Sequence, residues 1–117
     1  MRGMPSSSVA PPAWPARHWA DVSARDFAAA QHNGLAAATV AVLPVAATEQ
    51  HGPHLPLSVD AVLLQGVMDA ALPLLPAALP VLVLPPQNIG LSTEHSAFAG
   101  TLTLSPTTLI ALWTQLG

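Results

Sequence analysis

The chain has 117 residues, of which 51% are apolar and only 8% charged, against roughly 25% charged residues in an ordinary soluble domain. All its positive side chains are arginines (Arg2, Arg17, Arg25) and none follows Asp26, which excludes a nucleic-acid-binding surface and disfavours an anionic membrane surface. Cysteine is absent, so disulfides and thiolate metal sites are excluded, and the length allows one small domain or part of a larger one.

Residues 1–20 are rich in Pro, Ser and Ala and read as a flexible leader, with Trp14 and Trp19 docking on the body of the protein. The leader lacks a continuous apolar stretch, so it does not read as a signal peptide, and a cytoplasmic location is expected. The domain proper is expected over 21–117. Ser23 is placed to cap a short helix through Gln31, with Asp26 near its start and Asn33-Gly34 as the stop signal. Leu35 to Val45 is a nearly continuous apolar run that reads as a strand buried on both faces, as in a parallel sheet.

A helical pattern starts near Asp60, with Val62, Leu63, Val67 and Ala70 on one face, and ends before Pro73. The stretch Ala70 to Pro86 is wholly apolar, yet Pro73, Pro76, Pro80, Pro85 and Pro86 would break a membrane-spanning helix. Val81 to Leu84 reads instead as a second short buried strand. Ser105-Pro106 then provides a cap residue and a proline at the first position of a helix running to about Leu116. Helices alternating with short apolar strands define an α/β class.

The polar residues cluster where such a fold binds ligands, beyond the carboxyl ends of its strands. Glu49, His51, His54 and Asp60 follow the first strand directly. On extended backbone Glu49 and His51 share a side, Gly52-Pro53 turns the chain, and Asp60 can return toward them. Carboxylate plus imidazole suits Zn²⁺ or Mn²⁺, and no nearby Arg or Lys offers the acids another partner. Spacing alone also accommodates Asp60 as a helix cap, Glu49 as a solvated acid and both histidines as loop residues. A second cluster, Gly90-Leu91-Ser92-Thr93-Glu94-His95, follows the second strand and would line the same pocket, although spacing by itself favours turn and capping roles there. His18 and His32 read as surface residues, and Met68, Phe27 and Phe98 as packing.

The segment Leu43-Pro-Val-Ala-Ala-Thr-Glu-Gln-His-Gly-Pro-His-Leu-Pro-Leu-Ser-Val-Asp60 resembles the signature of the creatininase (creatinine amidohydrolase) family. Gly90-Leu-Ser-Thr-Glu-His-Ser-Ala-Phe-Ala-Gly-Thr-Leu-Thr-Leu-Ser105 is similar to that family's second motif. The resemblance implies a three-layer α/β/α fold with a mostly parallel sheet, of which 21–117 is the N-terminal part. It further implies hydrolysis of an amide-type C–N bond, in a cyclic amide, a formamide or a peptide, by a hydroxide held on two divalent metals, Zn²⁺ and/or Mn²⁺ with Fe²⁺ as an alternative. Carried over by motif, Glu49 binds one metal, His51 the other and Asp60 bridges both, while Ser92, Glu94 and His95 border the substrate pocket. Ala46-Ala47 and Ala99 depart from the motifs without removing a ligand. The family's remaining ligands, a His and a Glu, and its acid–base residues are expected beyond Gly117, so this stretch is expected to be truncated and inactive alone. Homo-oligomers, hexamers by resemblance, are expected of the longer form. A non-catalytic metal-binding or interaction module completed by another chain is the alternative.

Overall fold

Two valine-rich segments meet as parallel strands. In the computed structural model, which describes residues 10–117, β1 (Val40–Val42) pairs with β2 (Val81–Val83) in the register Val40↔Val81, Ala41↔Leu82 and Val42↔Val83. Each strand is short because proline follows it: Pro44 and Pro85-Pro86 have no N–H to continue a ladder. Pairing resumes past the prolines, where Gln87 N–H donates to the Pro44 carbonyl and Ala46 N–H to the Gln87 carbonyl, both at 2.9 Å.

The expected strand over Leu35–Val45 is instead two elements. Leu35–Ala38 forms a one-turn helix, α2, because Leu-Ala-Ala-Ala is a strong helix-forming run. It follows α1 (Ala24–Asn33) through Gly34 at φ 85°, and the Asn33 side-chain oxygen accepts from Leu35 N–H at 3.0 Å. Thr39 then turns extended, and its hydroxyl accepts from the Trp14 indole at 2.8 Å while donating to the Leu35 carbonyl at 2.6 Å. Burial on both faces holds for β2 but not for β1, whose Val40 is 59% exposed. The reason is neighbours. β2 has β1 on one edge and residues 17–18 on the other, where Val83 N–H donates to the Arg17 carbonyl at 2.8 Å.

Helix starts follow their caps. Ser23 and Asp26 form a reciprocal capping box at the head of α1, worth about 1 kcal/mol. Phe27 of α1 packs against Trp14 and Trp19, with ring centroids 5.1 and 4.6 Å away. The Arg17 guanidinium donates to the Pro76 and Leu79 carbonyls, which ties 10–20 down, whereas residues 1–9 of the expected leader lie outside the described residues. Helix α3 (Val59–Ala71) crosses from β1 toward β2 and passes into a 3₁₀ turn, Leu72–Leu74, at Pro73. The apolar face it presents is not covered: Val62, Leu63 and Val67 are each more than 60% exposed and no α3 residue is buried. Helix α4 (Pro106–Leu116) begins where the Ser105 hydroxyl accepts from Thr108 N–H, and it buries Leu109. No helix among the described residues is long and apolar enough to cross a membrane.

The core is therefore small, centred on Leu82, Val83 and Ala30 with Leu35, Val81 and Leu109 around them. Leu82→Ala is expected to lower stability by about 2–5 kcal/mol, and Val62→Ala by no more than about 0.5 kcal/mol. Chemical denaturation of both variants checks the contrast.

Candidate metal centre

Both polar clusters sit on loops leaving the same ends of paired strands. Beyond Val45, the first loop is held on two sides: the Thr48 hydroxyl donates to the Asn88 carbonyl at 2.7 Å, and Leu102 N–H donates to the Thr48 carbonyl at 2.9 Å. Gln50 N–H donates to the Thr101 hydroxyl at 3.1 Å, so residues 48–50 lie between the start and the end of the second loop. Gly90 allows this approach, since a Cβ there would stand 3.0 Å from the Ala46 carbonyl oxygen. Gly52, at φ 77°, then turns the chain toward α3.

Glu49, His51 and Asp60 converge. One donor atom from each lies within 4.8 Å of the others, and all three residues are half-buried. Asp60 lies within the first turn of α3, and Ser58, not Asp60, occupies the cap position. His54 is exposed and belongs to neither group of converging donors. The His51 ring is oriented from behind, its Nδ1 2.9 Å from the Glu49 carbonyl oxygen. A carbonyl only accepts, so Nδ1 carries a proton; Nε2, 3.2 Å from Asp60 Oδ1, donates to that carboxylate when the ring is charged and offers its lone pair to a cation when the ring is neutral. A backbone carbonyl fixing the far nitrogen is the usual support of a metal-binding imidazole.

A second group shares Glu49. His95 Nδ1 lies 3.4 Å from Glu49 Oε2 and 3.3 Å from Glu94 Oε1. These three residues also bring donor atoms within 4.8 Å of one another, a juxtaposition that spacing alone did not require. The signal for it is the Thr101–Thr103 stretch, whose threonines receive the loops: Ser92 N–H donates to the Thr103 hydroxyl at 2.8 Å, as Gln50 does to Thr101. Ser92 itself is fully buried and its hydroxyl has no partner. An open apolar cleft of about 490 Å³ reaches Asp60, lined by Val45, Ala46, Leu91, Leu109 and Trp113 among others.

The donor set fits a divalent cation. Donors about 2.0–2.1 Å from a tetrahedral zinc stand roughly 3.3–3.4 Å apart, and the 3.2 Å between His51 Nε2 and Asp60 Oδ1 is close to that spacing. No arginine forms an ion pair with these acids among the described residues; their charged contacts are histidines.

The sequence profile of the creatininase family, described as creatinine amidohydrolase, matches residues 20–117. Among curated proteins, the chain is 37% identical over 78 residues to a mycofactocin precursor peptide peptidase of Mycolicibacterium smegmatis. It is 38% identical over 82 residues to the peptidase of the same name from Mycobacterium tuberculosis. Each match covers 65% of this chain and 32–33% of the relative, so the chain spans about a third of their length. Among solved structures, a creatinine amidohydrolase (creatininase) superposes with TM-score 0.69 at 27% identity, covering 87% of this chain and 39% of that one. A manganese form of creatininase superposes with TM-score 0.69 at 26% identity, and a Zn-Zn form of a creatininase mutant with 0.68 at 25%. They cover 86% of this chain and 38% of theirs. The chain belongs to the creatininase family and has the creatininase fold over the portion it spans.

The hydrogen bond to the Glu49 carbonyl, helped by the charges of Asp60 and Glu49 against partial burial, raises the His51 pKa above 6.5. The pKa is raised on folding, so stability from the protonated ring is complete below the unfolded value and is lost as pH rises through the folded one. A cation competes with that proton, so cation affinity should strengthen over the same rise. In the metal-free chain, NMR titration should place the His51 midpoint above 6.5, and Asp60→Asn should lower it.

Proposed function

We propose that this chain supplies the first metal-binding half of an amide hydrolase site, with a peptide C–N bond as the scissile bond. The convergence of Glu49, His51 and Asp60 from a loop and the first turn of the following helix carries the reading. In this assignment Glu49 holds one divalent cation, His51 a second, and Asp60 both, with Zn²⁺ or Mn²⁺ as the ions. The Zn-Zn and Mn forms of the superposing creatininases support that choice. Bound cations of this kind supply an activated nucleophile and polarise a scissile carbonyl. The identity of 37–38% to proteins named peptide peptidases favours a peptide over a cyclic amide.

The chain's own residues prepare the site. The Glu49 carbonyl fixes the His51 ring, Asp60 comes from the first turn of α3, and an open apolar cleft flanks Asp60. Glu94 and His95 border Glu49 from the second loop, and buried Ser92 anchors that loop. Three protein donors cannot complete two coordination shells. In this reading the remaining ligands and the acid–base residues would lie in the part of the relatives that this chain does not match, and a cytoplasmic homo-oligomer would cover the exposed apolar faces of α3 and α4. The 117 residues alone are therefore inactive and bind cations weakly.

His51→Ala and Asp60→Ala should each lower metal content more than His54→Ala, measured by elemental analysis after equilibration with Zn²⁺. Equal retention contradicts the ligand assignment, and tight binding of two equivalents by the unmodified chain contradicts its incompleteness. For activity, the chain joined to the remaining part of the M. smegmatis peptidase should hydrolyse peptide amides only with added metal, and lose this with Asp60→Ala. A folded, metal-loaded chimera without hydrolysis contradicts the proposed reaction.

A further inference from the structure

We infer that His95 is a positioning residue for Glu49, holding that carboxylate in place for a cation from the side opposite the chain that carries it. The inference rests on the reading of Glu49 as a cation ligand and adds a function for the second loop.

Three observations converge on the ring. First, His95 Nδ1 is fully buried and has no hydrogen-bond partner of acceptable geometry, an arrangement that costs stability unless the nitrogen serves another purpose. Second, that atom faces two carboxylates of unequal freedom. Glu94 is 64% exposed and free to turn into solvent, whereas Glu49 is only 14% exposed and confined, so Glu49 is the lasting partner. Third, the ring sits on a well-anchored support. It closes the 3₁₀ turn Thr93–His95, whose base is held by Ser92 N–H on Thr103 and by Leu104 N–H on the Gly90 carbonyl, and Phe98 lies beside it at 6.3 Å between ring centroids.

Glu49 is the one residue common to both groups of converging donors among the described residues. A carboxylate that ligates a metal is itself held by an outer hydrogen-bonding partner, and the imidazole nitrogen beside the confined Glu49 stands where such a partner would. At 3.4 Å the contact is longer than a hydrogen bond, and a cation that draws Glu49 into one orientation gives the ring a fixed acceptor.

The test is a Mn²⁺ titration of the 117-residue chain, with free Mn²⁺ read by electron paramagnetic resonance. The variants are His95→Leu and His95→Asn, nearly equal in size but differing in whether a donor remains near the Nδ1 position. The expected result is that His95→Leu weakens affinity roughly 10–100-fold at unchanged stoichiometry. His95→Asn should restore most of that loss, and Glu94→Gln should not weaken binding. Leu and Asn variants that both bind like the unmodified chain overturn the inference while leaving the Glu49 site intact. Loss of a whole equivalent in both, with normal affinity for the rest, also overturns it, because His95 would then be a ligand itself. An unmodified chain that binds no Mn²⁺ overturns the Glu49 site and this inference together. If His95→Leu does not fold by circular dichroism, His95→Ala replaces it with the same expected loss and the same overturning outcomes.

Discussion

The parallel register between Val40–Val42 and Val81–Val83 determines where every donor of the site lies. Prolines stop both ladders at nearly the same level, and the backbone resumes pairing at Val45 and Gln87. Two polar loops therefore leave the sheet side by side. The first returns through Gly52 into α3 and brings Asp60 back to His51, and the second runs under it and brings His95 to Glu49. Shifting the register by one residue would turn the side chains of one strand to the opposite face relative to its partner and part the loops.

Charge scarcity complements this geometry. Arg17, the cation whose contacts reach furthest into the fold, has its guanidinium occupied by carbonyls at Pro76 and Leu79, remote in sequence from the site acids. Glu49 and Asp60 are left with imidazoles as their ion-pairing neighbours, with no arginine beside them among the described residues. Half-buried carboxylates so arranged suit a cation from solution, because desolvating an anion without a counter-charge is strongly unfavourable. The same sparing use of charge leaves apolar surface on α3 and α4, where Val62, Leu63, Val67 and Ile110 are all more than 60% exposed.

Much of this was legible in the residues. The Ser23 and Ser105 caps, the Gly34 stop and the end of α3 at Pro73 follow from local chemistry, which the structure retains because nothing tertiary opposes it. The family followed from two long motifs in order, and the profile match over 20–117 shows it. Leu35–Val45 departs from the expected strand because an apolar run does not distinguish helix from strand. Alanine propensity favours helix in its first half, where Leu35 is buried by packing rather than by pairing. The face of α3 was legible as apolar, but its exposure was not, because periodicity identifies a face without identifying what covers it. The contact between Glu49 and His95 spans 46 residues of sequence and depends on sheet register, which no local spacing encodes.

The proposed centre depends on Asp60 standing beside His51 as a shared cation donor. Anomalous diffraction from a crystal of the 117-residue chain equilibrated with Zn²⁺ tests this most directly. The predicted result is a zinc peak bonded to an Asp60 carboxylate oxygen and to His51 Nε2 or a Glu49 oxygen, with His51 Nδ1 still on the Glu49 carbonyl. Zinc bound only at His18, His32 or His54, with Asp60 and His51 in contact and no ion between them, would contradict it.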